Sequence, residues 1–434
     1  MIDLNCVKIE EVCSIEKGST GLAKALPGKY PLVTTGAERK TSSDYQFDAK
    51  AICIPLVSST GHGKKTLNYV HYQEGKFALG SILVALIPKD EKVLNARYLH
   101  VYLQKNKDRV IVPLMKGAAN VSLSVKAISS IEIPLPSARK QEEILNKIDS
   151  IFNEHRDLLS ESDVQMNLFG QLRQAVLQEA IEGKLTADWR KQNLELISGE
   201  NHASKLLETI RVEKNRLIKE GKLREEKALP PITDAEKPFA LPDGWAWCRL
   251  GDVTNYGQTE KARSINNETW VLDLEDIEKG SSALLQRVSY KDRNSLSEKN
   301  IFYKNYVLYG KLRPYLDKVL VAPEDGVATT ELIPIRCFNE LSPHYLRLTL
   351  KAKSFIQYAI SKVSGMKMPR LGTKDARRAL IPMAPNAEQS VIEERANRIT
   401  SSIADLETQV SECKEQSELL MQSVLREAFE HSHI

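Results

Sequence analysis

The sequence predicts an α+β protein: two globular bodies of mixed α/β character, each followed by a long helix, with the two helices pairing antiparallel as a coiled coil under a pseudo-two-fold internal repeat. The first observation behind this is a repeat held in one register. A single constant offset places Ile133-Pro134 on Ile381-Pro382, Gln141 on Gln389, Ile144 on Ile392, Gly117 on Gly365, and VLQEAIE (Val176 to Glu182) on VLREAFE (Val424 to Glu430). A slightly shorter offset pairs KIEEV (Lys8 to Val12) with RLGDV (Arg249 to Val253). Chance rarely keeps one register over some fifty residues, and a long repeat period signals a duplicated structural unit.

The second observation is a seam of alternating three- and four-residue steps after each body. In the first copy it runs through Ile144, Ile148, Ile151, His155 and Leu158, then Leu172 and Val176. In the second it runs through Ile392, Ile399, Ile403 and Leu406, then Leu420 and Val424. A repeat of 3.5 residues is the pattern of helices that bury a stripe against each other. Each helix spans roughly 50 Å at 1.5 Å per residue, too long to bury its stripe on a small body alone. Two like units related by a two-fold axis place such helices antiparallel. His155 sits in the seam, where a packed, partnered imidazole is expected.

The third observation is the strand content of the bodies. KAICIPLV (Lys50 to Val57), SILVALIP (Ser81 to Pro88), VLVAP (Val319 to Pro323) and ELIPIRCF (Glu331 to Phe338) are short β-rich runs, and ARYLHVYLQKN and SPHYLRLTLKAKSFIQYAI read as helices. The domain plan is a first body over 1–136, a long helix over 137–183, a charged helical linker over 184–240, a second body over 241–384 and a second long helix over 385–434. Gly183 breaks the first long helix. Residues Ala203 to Lys227 alternate charge signs around Leu206, Ile210, Leu217 and Leu223, which reads as a solvated helix.

Composition narrows the class. The chain has 434 residues, 42% apolar and 27% charged, which suits two or three soluble domains. A net charge of +4 is too small to signal nucleic-acid binding by itself, so any such footprint must be local. The six cysteines show no two-residue spacing of a metal or redox motif, and reduced thiols of a cytoplasmic protein are expected. No stretch resembles a secretory signal or a membrane span.

Catalytic motifs are missing. The one Pro-Pro pair, Pro230-Pro231, lies in the linker rather than in an Asn/Asp-Pro-Pro-aromatic site, and SSTGHGKKT (Ser58 to Thr66) has the glycines and lysines of a phosphate loop without its spacing. What remains are polar, glycine-containing basic loops, where small residues, amides and cations let a DNA backbone or base edge approach. Those of the first body contribute Thr34, Thr35, Arg39, Lys40, Ser59, His62, Lys64, Lys65, Lys116 and Asn120 as candidate DNA contacts. Those of the second contribute Gln258, Lys261, Arg263, Lys311, Arg313, Tyr315, Lys318, Lys367 and Arg370. Arginine reads guanine, Asn or Gln adenine, and Thr the thymine methyl, while lysines mainly supply phosphate contacts. One loop recurs: MKGAANVSLS (Met115 to Ser124) and SGMKMPRLG (Ser364 to Gly372) occupy equivalent repeat positions.

LPDGWAWCRLGDV, GKLRPYLDKV with the later VATTEL, IPLP with QEEI, and VLQEAIEGKLT resemble the specificity subunit of type I restriction-modification systems over nearly the whole chain. The resemblance implies a non-catalytic chain that reads a bipartite, asymmetric site on double-stranded DNA, one half per body, with the helix pair as the ruler between halves. It implies two modification (methyltransferase) subunits docked on the helices and restriction (translocase/nuclease) subunits beyond them. S-adenosylmethionine, ATP and Mg are then expected only on those partners, with no cofactor or metal in this chain. Reading successive major grooves needs centres about 34–36 Å apart, within the reach of such helices. The first copy lacks the LPDGW lead-in. The alternative from another class is a coiled-coil scaffold with two protein-binding modules and no DNA contact.

Overall fold

The structure is a computed structural model and describes residues 6–430 apart from residues 24, 61–62, 119, 294–296 and 366, with the side chains of 425 and 428–430 also outside the description. His62 therefore lies outside the described residues. The chain divides into two compact units, Met1–Asp163 with Ser411–Ile434, and Val164–Val410.

In the first unit, β1 (Cys6–Lys8) pairs antiparallel with β10 (Glu132–Pro134). One four-stranded sheet has the order β2-β9-β6-β7, from Cys13–Lys17, Leu83–Pro88, Ala51–Pro55 and His71–Gln73. A second has the order β4-β3-β8-β5, from Lys40–Ser42, Tyr30–Val33, Lys76–Leu79 and Phe47–Asp48, with β3 and β8 parallel. Strand β6 is buried along its whole length, which is why KAICIPLV reads as continuous apolar sequence rather than as an alternation. A buttress helix, Ala96–Val110, starts where the Asn95 side chain accepts the Arg97 and Tyr98 amides. Its Leu99 and Leu103 sit in a core shared with Ile52, Ile54, Val84 and Leu86.

The second unit repeats this plan. Strand β11 (Ala246–Arg249) pairs antiparallel with β21 (Leu380–Met383) as β1 does with β10. The order β13-β12-β17-β14, from Val288–Ser289, Trp270–Leu272, Gly326–Thr329 and Lys299–Phe302, reproduces β4-β3-β8-β5, parallel pair included. Strands β16 (Val319–Val321), β15 (Val307–Gly310) and β18 (Leu332–Ile335) pair as β7, β6 and β9 do. The buttress helix here is Pro343–Lys351, capped by Ser342. Two details confirm the equivalence. The hydroxyl of Tyr98 donates to the Pro134 carbonyl and that of Tyr345 to the Pro382 carbonyl. Gln141 accepts the Asn95 amide, and Gln389, equally buried, accepts the Ser342 amide. The repeat thus extends through both bodies, well beyond the ends at which the sequence displays it.

The long helices run over Ala138–Ile181, 44 residues, and Asn386–Glu430, 45 residues. Within the first unit His155 Nδ1 meets the Ser417 hydroxyl at 2.8 Å and Lys414 pairs with Asp163 at 2.5 Å. Within the second, Arg173 pairs with Glu407 at 2.8 Å. In the first unit partner numbers fall as residue numbers rise, so the helices pair antiparallel there.

The covered face differs from the expected seam at three positions. Ile148, Val176, Ile392 and Ile403 are buried, and Ile144, Ile151, Leu158, Ile399 and Val424 are half-buried. Leu172, Leu406 and Leu420, however, are 47%, 44% and 62% exposed. Their inward places go to Arg173, Glu407 and Met421, one residue on. The reason is geometric: at 3.6 residues per turn a straight helix drifts by about 20° per heptad against a 3.5 repeat, and a 4-4 step restores contact. The polar mid-seam residues Ser162 and Gln165 give the strict repeat no apolar anchor in the first helix.

The linker also departs from expectation. Its helix, Ala203–Lys219, is packed rather than solvated: Leu206, Ile210 and Leu217 join the core of the second unit beside Trp245 and Leu250. A buried clasp closes this region. Glu388 accepts from Thr186 Oγ1 and Arg190 Nη1, both at 2.5 Å, and from Trp245 Nε1 at 2.7 Å. Gly183 is left-handed at φ 70° beneath it, where a Cβ would meet Arg190 and Trp245. The LPDGW and GKLTADWR segments therefore serve architecture.

Candidate nucleic-acid interface

Each body brings two of its basic loops together, at equivalent places in the shared topology. In the first, the loop that follows β6 (Ser58 to Lys65) lies against a hairpin closed by the Lys116–Ser122 bridge; Val57 bridges to Ser122, and the Ser58 amide donates to the Val121 carbonyl. In the second, the loop that follows β15 (Lys311 to Lys318) lies against the hairpin of β19 (Val363–Ser364) and β20 (Arg370–Leu371), through a Leu312–Arg370 bridge and the Arg313 amide donating to the Pro369 carbonyl. The hairpins turn at Gly117 and Gly365, with φ of 122° and 94°. At Gly117 a Cβ would fall 2.2 Å from the Asn120 carbonyl oxygen, so only glycine fits.

Around these paired loops Ser59, Lys64, Lys65, Lys116 and Asn120 are exposed in the first body, and Arg313, Tyr315 and Lys367 in the second. Lys40 and Arg263 are exposed on neighbouring segments. Other singled-out residues are committed internally. Thr34 is buried and Thr35 half-buried. Arg39 donates to Gln73 Oε1 and the Tyr72 carbonyl and faces His71 Nδ1 at 3.2 Å, so it ties its loop to β7; burial lowers its pKa. Gln258 spends both ends of its amide on the Arg224 backbone, at 2.9 and 3.0 Å. Lys318 donates to the Leu274 carbonyl at 2.6 Å. Lys261 pairs with Glu298, and Arg370 with Glu331. Lys311 is half-buried, its backbone bonded to Glu331 and Leu371.

The loops also rest on residues that sequence reasoning passed over. His71 is buried against Arg39, and burial followed by the Arg39 charge lowers its pKa to about 4, so its imidazole is neutral. In the second body Lys351 Nζ lies 2.8 Å from Asp317 Oδ2. Burial raises Asp317 to about 6 and lowers Lys351 to about 8. The available signal was Asp317 inside KLRPYLDK, together with cations spaced one helical turn apart at Arg347 and Lys351.

Among the described residues no group of His, Cys, Asp or Glu has metal-holding geometry, and no helix is long and apolar enough to cross a membrane. A duplicated framework that presents two different sets of basic and polar loops is the architecture of a two-module recognition protein. The chain is similar to the specificity subunits of type I restriction-modification systems. Residues 1–163 match the family model described as the type I restriction modification DNA specificity domain. The specificity subunit of the Escherichia coli type I restriction enzyme EcoDI is 25% identical over 99% of this chain and 88% of its own length. That of EcoAI, also from E. coli, is 29% identical over 64% of this chain and 46% of its own length. The HsdS subunit from Thermoanaerobacter tengcongensis shares the fold, with a TM-score of 0.55 at 16% identity over 99% of this chain and 97% of that one. A second solved structure, described in the context of complex assembly in the type I system, gives 0.56 at 15% identity over 99% and 98%.

Proposed function

We propose that this chain is the DNA-reading, non-catalytic subunit of a type I restriction-modification complex, that each body reads one half of a bipartite asymmetric site, and that the paired loops do the reading. The observation that carries this is one framework built twice with unlike side chains on equivalent loops. Lys64, Lys65 and Asn120 in the first body stand where the second has Arg313, Tyr315 and Lys367, so the half-sites read should differ. Arg313, on a left-handed turn beside exposed Tyr315, is suited to a base edge, and the lysines to phosphates.

Methyltransferase subunits dock on the long helices in this reading. The exposed Val164, Leu168 and Leu172, and separately Leu419 and Leu420, give apolar surface for them. S-adenosylmethionine, ATP and Mg reside on the methyltransferase and restriction partners. The test is a selection from random duplex DNA with the chain co-expressed with its methyltransferase subunit. Two short, different motifs at a fixed gap are expected. A stable protein complex with no sequence enrichment contradicts the reading and favours a protein-binding scaffold. Removing four residues, about one turn, from one long helix should change the tolerated gap and leave both motifs; altered motifs at the old gap would contradict the ruler.

A further inference from the structure

The loop that carries Arg313 and Tyr315 is held in an unusual backbone. Arg313 and Asp317, at φ of 51° and 50°, flank the short turn Pro314–Leu316, and Ser282 in the adjoining segment has φ 61°. Side chains with a Cβ rarely adopt this conformation, and it persists only where surrounding contacts impose it. Arg313 is tied by its amide to the Pro369 carbonyl, and the contacts at Ser282 and Asp317 converge on one side chain. Lys351, the last residue of the buttress helix and 3% exposed, places Nζ 2.7 Å from the Gly280 carbonyl, 2.7 Å from Ser282 Oγ and 2.8 Å from Asp317 Oδ2. The Ser282 hydroxyl in turn donates to the Asp317 carbonyl at 2.7 Å.

We propose that Lys351 and Asp317 are a positioning pair that fixes the Arg313–Lys318 loop, and that the second half-site is read sharply only while this pair is intact. The inference rests on the two-reader function proposed above. A fold alone does not call for such a pair: burying two charges carries a desolvation penalty that apolar residues of like volume avoid.

The first body supplies an independent observation. Its buttress helix uses the two equivalent positions, one turn apart, on the segment that enters the equivalent strand. His100 Nε2 meets the Val70 carbonyl at 2.9 Å and Gln104 Oε1 accepts the Val70 amide at 2.6 Å. In the second body Arg347 donates to the Val319 carbonyl at 3.1 Å, and Lys351 makes the contacts above. One mechanical task, steadying the strand entry beneath the reading loop, is done by neutral groups in one body and by an ion pair in the other.

The test uses the full chain in complex with its methyltransferase subunit. The variant K351M/D317N keeps side-chain size and leaves Asn, which tolerates the left-handed backbone, at position 317. Selection from random duplex DNA should show discrimination at the second half-site lowered by about tenfold, the scale of one lost base contact. The first half-site should be unchanged and the thermal midpoint unchanged or raised. Gln104→Leu should do the reverse, blurring the first half-site alone. A second half-site read as sharply as in the wild type overturns the proposal. Loss of both half-sites, or a collapsed thermal midpoint, assigns the pair to folding and overturns it as well. Failure of the wild-type complex to select any bipartite site removes the underlying reading, a result distinct from a wild type and variant that select the same two halves.

Discussion

The two bodies share strand order, parallel pair, buttress helix and glycine hairpin, yet almost none of the side chains that brace their loops are the same. In the first body Arg39 leans on a neutral His71, and Gln104 holds the Val70 amide. In the second the equivalent region is braced by Lys351 against Asp317, and Arg370 against Glu331. The second body is also clasped by Glu388, while the position that matches Glu388 in the first is Lys140, an exposed residue. Backbone pairing and apolar burial therefore specify the framework, and the polar braces are free to diverge with the loops they support.

The largest expected effect breaks the clasp. Glu388→Ala strands the buried Trp245 indole N–H and the Arg190 guanidinium, and removing one member of a buried pair costs about 3–5 kcal/mol. Lys140→Ala should stay within about 0.5 kcal/mol, as surface changes do. Calorimetry on the two variants checks the contrast; equal effects would show that the bodies are clasped alike.

Next comes a pair of neighbours on the second long helix. Ile403, 2% exposed, should cost about 2–4 kcal/mol on replacement by Ala. Leu406, 44% exposed, should cost under about 0.5 kcal/mol. Denaturant unfolding distinguishes them, and a costly Leu406→Ala would restore the strict heptad.

Acid sharpens the comparison further, because the two bodies respond with opposite sign. His71 has its folded pKa lowered to about 4 from an ordinary 6.5, so the unfolded chain takes up the proton first. Its contribution is intact above pH 6.5 and is lost as pH falls towards 4, about 3 kcal/mol in all. Asp317 has its folded pKa raised to about 6 from an ordinary 3.8. Its effect on stability is therefore favourable at low pH and is lost as pH rises through 6. Protonating Asp317 nevertheless removes its charge from Lys351, with Arg347, Arg173 and Tyr309 the other charged or titratable groups facing the pair. Between pH 7.5 and 5.5 the second half-site should lose discrimination before the first does. His71→Gln should flatten the acid limb of the unfolding curve; an unaltered limb would remove His71 from the account.

The smallest effect concerns phosphate contacts. Replacing Lys64 or Lys65 with Ala should lower the slope of log affinity against log salt by about 1 and weaken all sequences alike. A change of motif instead would make that lysine a base reader.

The sequence displays the duplication and the long helices because apolar periodicity and end motifs survive wherever packing demands them. It displays little of the braces. Arg39 and Lys318 look like free cations because their partners, His71 and the Leu274 carbonyl, are distant in sequence. The linker looks solvated because its few leucines face a core that only the tertiary fold supplies. The seam slips at Leu172 and Leu406 because a straight helix and a 3.5 repeat part company over many turns.

The most direct test of the central claim is a parallel DNA selection with three complexes: wild type, a first-body variant carrying Lys116→Ala and Asn120→Ala, and a second-body variant carrying Arg313→Ala and Tyr315→Ala. Two readers on one framework predict that each variant blurs one half-site, a different one in each case, at an unchanged gap. A variant pair that blurs the same half-site, or neither, would contradict it.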